Sequence, residues 1–560
     1  MAYRSDKYRV AMRSALHNVG GFIDDVLEPF APTLCENRRK ARHRAAVMEK
    51  RREVQMRTFE AAEMDRQRGD QWLRSQLSTD SALDVELETM RTNSNELFRN
   101  FGYAGAAVMN RTNNVIGTGI QPDAEILSKA SAGVDAERAE LLSQQLIMLW
   151  ESVQLTIGHV NGGRVPLWML QRLAHISWLR DGEILVIFSD VPRPDALIPL
   201  QVDLVDAARL ETPLGGAMVT YPDGSKIPFQ DDFKSVRLGV HKPADEILGY
   251  FVRDSHPGES RNPKFTYHYF PVDRCAHIFE RLWVDQNRGL PWLFSIINTV
   301  KDFQSFREAV ITGAHVGACM SAIVTGSNPE QMKKNSLDAN GNLQLRPGGI
   351  LFLDDLSTVE AFNPAQTSTT LEAFDAELLH EMAAALTEPF GWMTGDRRGA
   401  TYSAGKLDEI EGRVMVEISQ KMHVDLWLRS LWHRYVRQAV LYCGQIEISI
   451  EEFLANPTLF LRHSWGGPGR PLLDPGKEAA AAIQLVRENL MTKKQWHSRF
   501  GTHSRDIFRQ RGRENQLEER YHCVPKNQNN ESPPPTPPDQ LPNDDDQFPF
   551  PVGSETDSAV

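Results

Sequence analysis

The sequence predicts an α+β fold. Apolar residues recur three and four positions apart before residue 181 and after residue 290, whereas residues 190–280 combine Pro, Gly and Asp with short strand-like runs. A hydrophobic fraction of 41% and a charged fraction of 24% are typical of a soluble globular protein. At 560 residues the chain is long enough for roughly three to four domains, or for one large subunit.

The first predicted elements are helical. Helical spacing of apolar residues predicts helices over 97–115, 137–154 and 166–180, the last with Pro near its first turn. Asp181-Gly182 is a turn signal, and the apolar run that follows predicts a strand over 183–188.

The middle of the chain predicts strands and then long helices. Three β-like runs stand at 201–205, 249–253 and 265–270. Residues 291–316 predict a helix about 40 Å long at the usual rise per residue. Residues 371–386 place their apolar side chains on one helical face and predict an amphipathic helix.

Capping residues mark the last predicted helices. Asp474 is an N-cap acceptor followed by Pro475 at a first helical position, which predicts a helix over 477–490. Thr492 and Gln495 have the spacing of a capping box.

The two ends of the chain carry opposite charge. Residues 36–57 hold nine Lys and Arg against three Glu, which predicts either a solvated basic arm or a contact with nucleic acid or a partner. After Lys526 there are seven acidic and no basic residues, so this Pro-rich tail is predicted to be disordered. The net charge of −12 argues against a surface built for tight, sequence-independent binding to duplex DNA.

Signatures of catalysis are absent from the sequence. His380-Glu381 begins like a zinc-protease motif, but residue 384 is Ala, so the second ligand is missing. The sequence contains no phosphate-binding loop, nucleophile elbow or CxxC pair among its five cysteines. We therefore predict no catalytic residue, no metal and no cofactor. The uncharged run 309–329 is too polar for a membrane span, and the polar N-terminus predicts no signal peptide.

Two short motifs allow two interpretations each. Gly117-Thr-Gly119 could be part of a dinucleotide-binding loop, but no strand is predicted before it, which favours a tight turn after a helix. Asp354-Asp355 could bind a divalent cation, although a polar turn after the predicted strand 350–353 is the favoured interpretation.

An ordered set of motifs resembles the lambda-type phage portal proteins over most of residues 35–510. The motifs are Asn100–Ile120, Asp181–Glu183, Gln201–Leu210, His277–Arg281, Gln286–Trp292, Arg346–Ile350, Glu388–Ser403, Trp465–Pro468 and Asp474–Glu478. The chain departs from the family where the family reads Tyr-Ser-Ser-x-Arg and this sequence reads Tyr402-Ser-Ala-Gly-Lys406. A role that needs the second hydroxyl or a bidentate Arg is therefore not expected here.

The resemblance implies a portal-type subunit with wing, stem, clip and crown regions that assembles into a ring, with twelve copies expected. The implied regions are a basic N-terminal arm (1–60), a first wing part (61–164), a stem helix (165–182), a β-rich region containing the clip (183–288), a second stem helix (289–318), a second wing part with a tunnel loop near 387–405 (319–470), a crown (471–515) and a disordered acidic tail (516–560).

The resemblance also implies site residues. Arg397 and Arg398 lie in the tunnel-loop region between glycines, and the alternative is an ordinary exposed turn. The remaining candidates are Tyr402 and Lys406 for the DNA channel and Lys301 and Arg307 for the stem. Because DNA must slide, a neutral or mildly acidic bore with a few basic residues on loops is expected.

The implied function is that of a head-tail connector, a channel at the capsid vertex for DNA packaging and ejection, and not that of an enzyme. Expected partners are further copies of the chain, double-stranded DNA, the terminase large subunit, the major capsid protein and head-completion or adaptor proteins. No membrane partner is expected. The location would be the virion, and the host cytoplasm during assembly. The alternatives are a metal-dependent nuclease, which would need an Asp/Glu cluster, and a monomeric scaffold.

Overall fold

A computed structural model describes most of the chain between residues 77 and 521. The described residues are 77–129, 134–194, 196–230, 235–259, 264–319, 322–325, 350–353, 368–398, 401–469 and 474–521. They belong to two compact units, residues 1–501 and residues 502–560. The predicted basic arm, the Asp354-Asp355 turn and the tail after residue 521 lie outside the described residues.

The described helices and strands confirm the α+β prediction. In chain order the elements are α1 (Thr79–Asn100), α2 (Gly102–Val115), β1 (Gln121–Ala124), α3 (Ala136–Val153), β2 (Gly158–Val160), β3 (Gly163–Val165), α4 (Leu167–Asp181), β4 (Glu183–Asp190), β5 (Leu200–Val205), β6 (Met218–Thr220), β7 (Lys226–Pro228), β8 (Val236–Arg237), β9 (Val240–His241), β10 (Gly249–Arg253), β11 (Tyr267–Pro271), β12 (Cys275–Phe279), α5 (Ile297–Cys319), β13 (Ala322–Thr325), β14 (Ile350–Leu353), α6 (Ser368–Ala385), α7 (Phe390–Thr394), α8 (Tyr402–His423), α9 (Arg429–Tyr442), α10 (Ile450–Ala455), α11 (Pro457–Phe460), β15 (His463–Gly466), α12 (Pro475–Arg487), α13 (Lys493–Ser498) and α14 (Ser504–Arg520). Among the residues that the structure describes, no helix has the length and apolarity needed to cross a membrane.

The predicted helix 97–115 is wrong as a single helix. Helix α1 ends at Asn100 and α2 begins at Gly102, because Phe101 between them is extended (φ −111°, ψ 104°). The Phe101 side chain is buried in a core shared with Leu97, Ala104 and Val108, and its ring meets Phe303 edge-on at 5.9 Å. The Phe101 ring is buried at the bend, and the next residue, Gly102, is a poor helix former. These two features explain why the chain forms two helices here and not the continuous helix that periodicity alone suggests.

A five-stranded sheet of order β12-β4-β5-β2-β3 lies at the centre of the first unit. Strand β4 has six consecutive buried residues. Ile184, Val186 and Phe188 face the largest core, and Leu185 and Ile187 face a smaller one toward the six-stranded sheet β7-β6-β11-β10-β9-β8. Both faces of β4 are therefore covered, which explains its uninterrupted apolar run.

Helix α4 packs onto this sheet and is largely buried. Nine of its fifteen residues are buried, among them the polar side chains of Gln171, His175 and Asp181. Residues 165–182 were predicted to be a stem helix. In the structure most of this helix is buried, and Met169 and Leu173 are its exposed apolar residues. The β-rich region 183–288 likewise supplies two sheets whose inner residues join the cores of the same unit.

Helices α5 and α6 form an antiparallel pair. Near the start of α5, the Thr299 hydroxyl donates to Glu381 at 3.1 Å, close to the end of α6. Farther along α5, Phe306 meets Phe374 with ring centroids 4.4 Å apart and Arg307 pairs with Asp375 at 3.6 Å, both nearer the start of α6. The start of α5 and the end of α6 are buried with α1 and α2, whereas the described residues farther along the pair are mostly exposed. The pair therefore projects from the body.

The far end of this helical pair is followed by strands. Strand β13 comes shortly after α5, and it pairs in parallel with β14, which precedes α6. The start of the predicted helix 291–316 also differs, because residues Trp292–Ile296 form a 3₁₀ turn and the α-helix begins at Ile297.

The predicted caps are confirmed. The Asp474 side chain accepts a hydrogen bond from the Lys477 amide at 3.2 Å, and Thr492 and Gln495 form the complete capping box. Helix α12 ends at Arg487, three residues before the predicted end. In the second unit, α14 continues to Arg520, so the tail predicted to start at 516 begins inside a helix. Polar i, i+4 contacts such as Gln510 to Glu514 support that helix.

Candidate DNA-channel segment and buried polar clusters

The loop between α7 and α8 carries the predicted tunnel-loop arginines. Gly395 takes a positive φ of 71°, which ends α7. Asp396 then accepts hydrogen bonds from the Arg398 side chain at 3.0 and 2.7 Å and from its amide at 2.9 Å. These hydrogen bonds lower the pKa of Asp396 to about 2. Thr401 caps α8 by accepting from the Ala404 amide. We call residues 395–398 and 401–406 the channel segment.

Both ends of the channel segment are anchored to the body. Gly412 of α8 has no room for a Cβ, which would lie 2.6 Å from the Trp392 ring of α7, so these helices touch at close range. The Asn110 amide donates to the Trp392 carbonyl at 2.9 Å. Arg111 pairs with Glu388 at 2.5 Å just before α7. Helix α2 therefore fixes α7, while the short loop after Gly395 stays on the surface.

The Arg111–Glu388 pair is largely removed from solvent. Burial raises the pKa of Glu388, and the adjacent Arg111 only partly counteracts this effect. The Arg111 guanidinium also lies over the Trp292 ring at 4.9 Å. This cluster connects α2 with the entry to α5 and the entry to α7.

The structure brings four of the six predicted site residues together in the channel segment. Arg397, Tyr402 and Lys406 are exposed, with Tyr402 at 60%. Among the described residues, neither Arg397 nor Lys406 has an ion-pair partner, whereas the charge of Arg398 is neutralised by Asp396. The two basic side chains left unneutralised here fit a surface that meets a polyanion without holding it tightly.

The two stem candidates lie on α5. Lys301 is exposed, and Arg307 pairs with Asp375 of α6 and lies over the Phe303 ring at 5.1 Å. Arg307 therefore joins the two helices of the projecting pair. His380, the first residue of the incomplete zinc-protease motif, is exposed on α6 and stacks on Phe390 with ring centroids 3.9 Å apart.

The first unit also contains a buried carboxylate that the sequence analysis did not identify. Glu183, at the start of β4, accepts a bond from Arg288 Nε at 2.6 Å, from Arg91 at 2.5 Å, from His277 at 2.9 Å and from the Gly289 amide at 2.7 Å. Burial raises the pKa of Glu183, but the Arg288 and Arg91 guanidiniums outweigh it and hold the pKa well below its usual range. We call these five residues the Glu183 cluster.

The Glu183 cluster unites three motifs that the sequence shows separately: Asp181–Glu183, His277–Arg281 and Gln286–Trp292. Gly182 (φ 90°) is required because a Cβ there would lie 2.6 Å from the Pro291 nitrogen. The sequence did contain a signal for a buried polar cluster, because Glu183 and His277 are polar residues within apolar strands. That Glu183 bonds to His277, Arg91 and Arg288 could not be derived from their spacing in the sequence.

A second buried polar group lies where α8 ends. His175 of α4 and His423 of α8 share a hydrogen bond of 2.8 Å, and Trp427 donates to His423 at 3.0 Å. Burial lowers the pKa of His423 to about 3 and that of His175 well below its usual value. Both rings are therefore neutral at physiological pH. Within the described part of the chain, no three His, Cys, Asp or Glu side chains are grouped as a metal site would require.

Comparison with known proteins gives the family. The sequence model of "Phage portal protein, lambda family" matches residues 65–420. Portal protein B of Escherichia phage lambda is 21% identical over 479 residues, covering 78% of this chain and 85% of that protein. The portal protein of Escherichia phage N15 is also 21% identical, over 78% of this chain and 86% of its own length.

A chain in the neck of an empty gene transfer agent particle is similar in structure, with a TM-score of 0.34 and 13% identity over 74% of this chain and 92% of that chain. A likeness at this level adds nothing to the assignment. The family match spans more than half of the sequence, and it includes Glu183, Arg288 and the channel segment up to Lys406. On that match, the chain belongs to the lambda family of phage portal proteins.

Proposed function

We propose that this portal protein assembles with further copies of itself into a ring, twelve in number by the family resemblance, through which double-stranded DNA passes. The channel segment would border the bore. The observation that supports this most directly is the channel segment itself, a short exposed loop that carries basic and aromatic side chains and is anchored at both ends. A pore must contact DNA repeatedly and release it each time, which a small number of exposed cations permits.

The pairing of Arg398 with Asp396 supports the same proposal. A guanidinium paired with a neighbouring carboxylate contributes little net charge, so the loop presents Arg397 and Lys406 as its unneutralised cations. Fewer phosphate contacts release fewer counterions, which weakens each contact and favours sliding. The chemistry expected of the segment is transient electrostatic guidance, and the protein would not hydrolyse ATP or cleave DNA.

We propose further that the projecting pair α5–α6 forms the stem. Strands β13 and β14, with the chain that connects them, would form the clip. This arrangement differs from the expectation of a stem helix at 165–182 and a clip within 183–288. It also assigns β13, β14 and α6 to the stem and clip, although they lie within the expected second wing part (319–470). The argument is exposure: α5 and α6 project from the body, whereas α4 is covered and the sheets of 183–288 join its cores. The second stem expectation, residues 289–318, is retained in α5.

The partners remain those that the family resemblance implies. A separate terminase large subunit would supply ATP hydrolysis, and the major capsid protein and head-completion proteins would surround the ring. The expected location is the portal vertex of the virion, with assembly in the host cytoplasm. The helices after Asp474 would form the crown.

The proposal is tested by reversing the charge of the channel segment. Arg397→Glu/Arg398→Glu should assemble into rings like the wild type, because neither side chain is buried, but should package less DNA in a complementation assay. Lys226→Glu/Arg274→Glu is the matched control, since both residues are exposed and lie outside the channel segment. Normal packaging by the Arg397/Arg398 variant would refute the role of the segment, and absence of rings in the wild type would refute the conduit itself.

A further inference from the structure

The connection from β12 to α5 exposes three consecutive apolar side chains. Leu282 is 50% exposed, Trp283 is 47% exposed and Val284 is fully exposed. Single apolar side chains are common on protein surfaces, but adjacent ones that include a tryptophan are typical of a contact site. We call residues 282–284 the apolar loop.

The apolar loop is held in one conformation although its side chains are exposed. The Gln286 side chain is buried, and its Oε1 atom accepts hydrogen bonds from the Leu282 amide at 2.8 Å and the Trp283 amide at 3.3 Å. Its Nε2 atom donates to the Arg288 carbonyl at 2.7 Å, which ties the loop to the Glu183 cluster. A loop that is ordered before it binds loses little entropy on binding, so this loop is suited to contact a partner.

The start of α1 is hydrogen-bonded to the residues that follow the apolar loop. The Thr79 hydroxyl donates to the Asp285 carboxylate at 3.2 Å, and the Asp80 carboxylate accepts from the Asn287 amide at 3.0 Å. The chain therefore enters the described structure beside the apolar loop, and the residues before Leu77 approach from this point.

The chain before Leu77 carries apolar side chains within reach of the apolar loop. Residues 65–76, which we call the entry segment, lie outside the described residues, and Trp72 and Leu73 are their only large apolar residues. The family match begins at residue 65, so it includes the entry segment but not the basic residues 36–57. Trp72 is five residues from Leu77, at most about 18 Å along an extended chain. This short tether gives the entry segment a high effective concentration at the apolar loop, which a separate molecule does not have.

The charges of the two sides do not oppose a contact. Exposed Glu280, Arg281 and Asp285 flank the apolar loop and give it a net charge of −1. The entry segment has three arginines and two aspartates, a net charge of +1. Exposed charges of opposite sign attract each other only weakly, so the contact depends mainly on the apolar side chains.

We propose that Trp72 and Leu73 pack on the apolar loop of the same chain. The entry segment would thus cover the connection from β12 to α5 and fix the point from which the basic residues 36–57 extend. The inference goes beyond the proposed function and does not depend on it, because the contact is expected in an isolated subunit as well as in a ring.

The first test joins the two sides covalently. The full-length chain with Leu73→Cys and Val284→Cys is treated with a short bismaleimide in a mixture of ¹⁴N- and ¹⁵N-labelled copies, and linked peptides are identified by mass spectrometry. A 73–284 link within one copy is expected. Leu73→Cys with Ile227→Cys is the matched control, because Ile227 is also 50% exposed but lies on β7, and this pair should not be linked.

Three results of the first test would overturn the inference. A 73–284 link between differently labelled copies would identify a neighbouring subunit as the occupant. No 73–284 link would mean that the entry segment does not reach the apolar loop. An equal yield in the control pair would mean that the link reports only the freedom of the entry segment.

The second test measures how well the apolar loop is covered. Alkylation of Val284→Cys, followed at the peptide level, should become about tenfold faster when Trp72→Ser/Leu73→Ser is added, a ratio that corresponds to about 1.4 kcal/mol. Gln71→Ser/Gln76→Ser is the matched control in the entry segment and should leave the rate unchanged. Equal rates with and without Trp72 and Leu73 would mean that the loop is open or covered by another molecule, and either result overturns the inference.

The third test follows the entry segment itself. Trp283→Ser/Val284→Ser should make trypsin cleavage after Arg74 about tenfold faster, because the entry segment loses the surface on which it packs. Met218→Ser/Ile227→Ser on the six-stranded sheet is the matched control. Unchanged cleavage after Arg74 would overturn the inference and leave the proposed function intact, whereas a wild type without rings would refute only the proposed function.

Discussion

Replacing Glu183 by Gln should destabilise the first unit strongly. The substitution keeps the side-chain shape but removes the negative charge that Arg91 and Arg288 share, and the new amide adds a donor among groups that are already donors. Glu183 and Arg288 are almost fully buried, so the remaining guanidiniums cannot be resolvated easily. Removing one partner of such a buried ion pair costs about 3–5 kcal/mol.

The assay is urea unfolding followed by tryptophan fluorescence at neutral pH. Glu409→Gln is the matched control, because Glu409 pairs with Arg413 at 3.1 Å on a partly exposed helix surface, where such pairs are worth about 0.5 kcal/mol or less. The double variant Glu183→Gln/Arg288→Met should lose less stability than the sum of the two single variants, because it leaves one guanidinium fewer uncompensated.

The pH dependence gives an independent check. Because the pKa of Glu183 is held well below its usual range in the folded state, the stabilisation from this carboxylate is fully present above its unfolded pKa and is lost as pH falls through the folded pKa. The difference in unfolding free energy between wild type and Glu183→Gln should thus persist at pH 5. A Glu183→Gln variant within about 1 kcal/mol of wild type would refute the view that the cluster stabilises the fold.

Three further predictions concern other parts of the structure. Gly182→Ala should cost at least about 1 kcal/mol beyond Gly224→Ala, because both glycines have φ near +85° but only Gly182 lacks space for a Cβ; paired urea titrations measure this. As pH falls from about 6.5 toward 3, His423 takes up its proton in the unfolded state before it does so in the folded state, so the free energy of unfolding should fall by up to about 1.4 kcal/mol per pH unit. His423→Gln should reduce this slope, and an unchanged slope would contradict the burial argument. Truncating Phe374 to Ala should loosen α5 from α6 by removing the ring contact with Phe306, which faster hydrogen exchange in α6 but not in α3 would reveal.

Local signals predicted the elements that local interactions determine. The Asp474 cap, the Thr492 capping box and strand Gly249–Arg253 were found from a few adjacent residues, because a cap or a short strand is encoded within one turn or one run. The sequence analysis did not predict the break at Phe101, because the break depends on the burial of its ring in a core formed with residues far away in the sequence.

The channel segment was predictable as a loop, because glycines flank its arginines. The neutralisation of Arg398 by Asp396 was within reach of the sequence, being a contact two residues apart. A β-rich stretch has the same strand-like pattern whether its sheets are enclosed in a body or project from it. The burial of α4 and the exposure of the α5–α6 pair, which support the stem and clip that we propose, are not visible in that pattern.

The members of the Glu183 cluster lie far apart in the sequence, which affects the order in which the chain can fold. Arg91 and Glu183 are 92 residues apart, and Glu183 and Arg288 are 105 apart. Contacts of this range close large loops and form late, because the entropy of closure must be overcome first. Until residue 288 has been synthesised, Glu183 lacks the Arg288 guanidinium, which has the largest effect among the charges that stabilise its carboxylate. We expect the nascent chain to stay open at β4 until Arg288 arrives, so that subunits acquire the rigid body needed for assembly only when the sheet and its ionic centre close together.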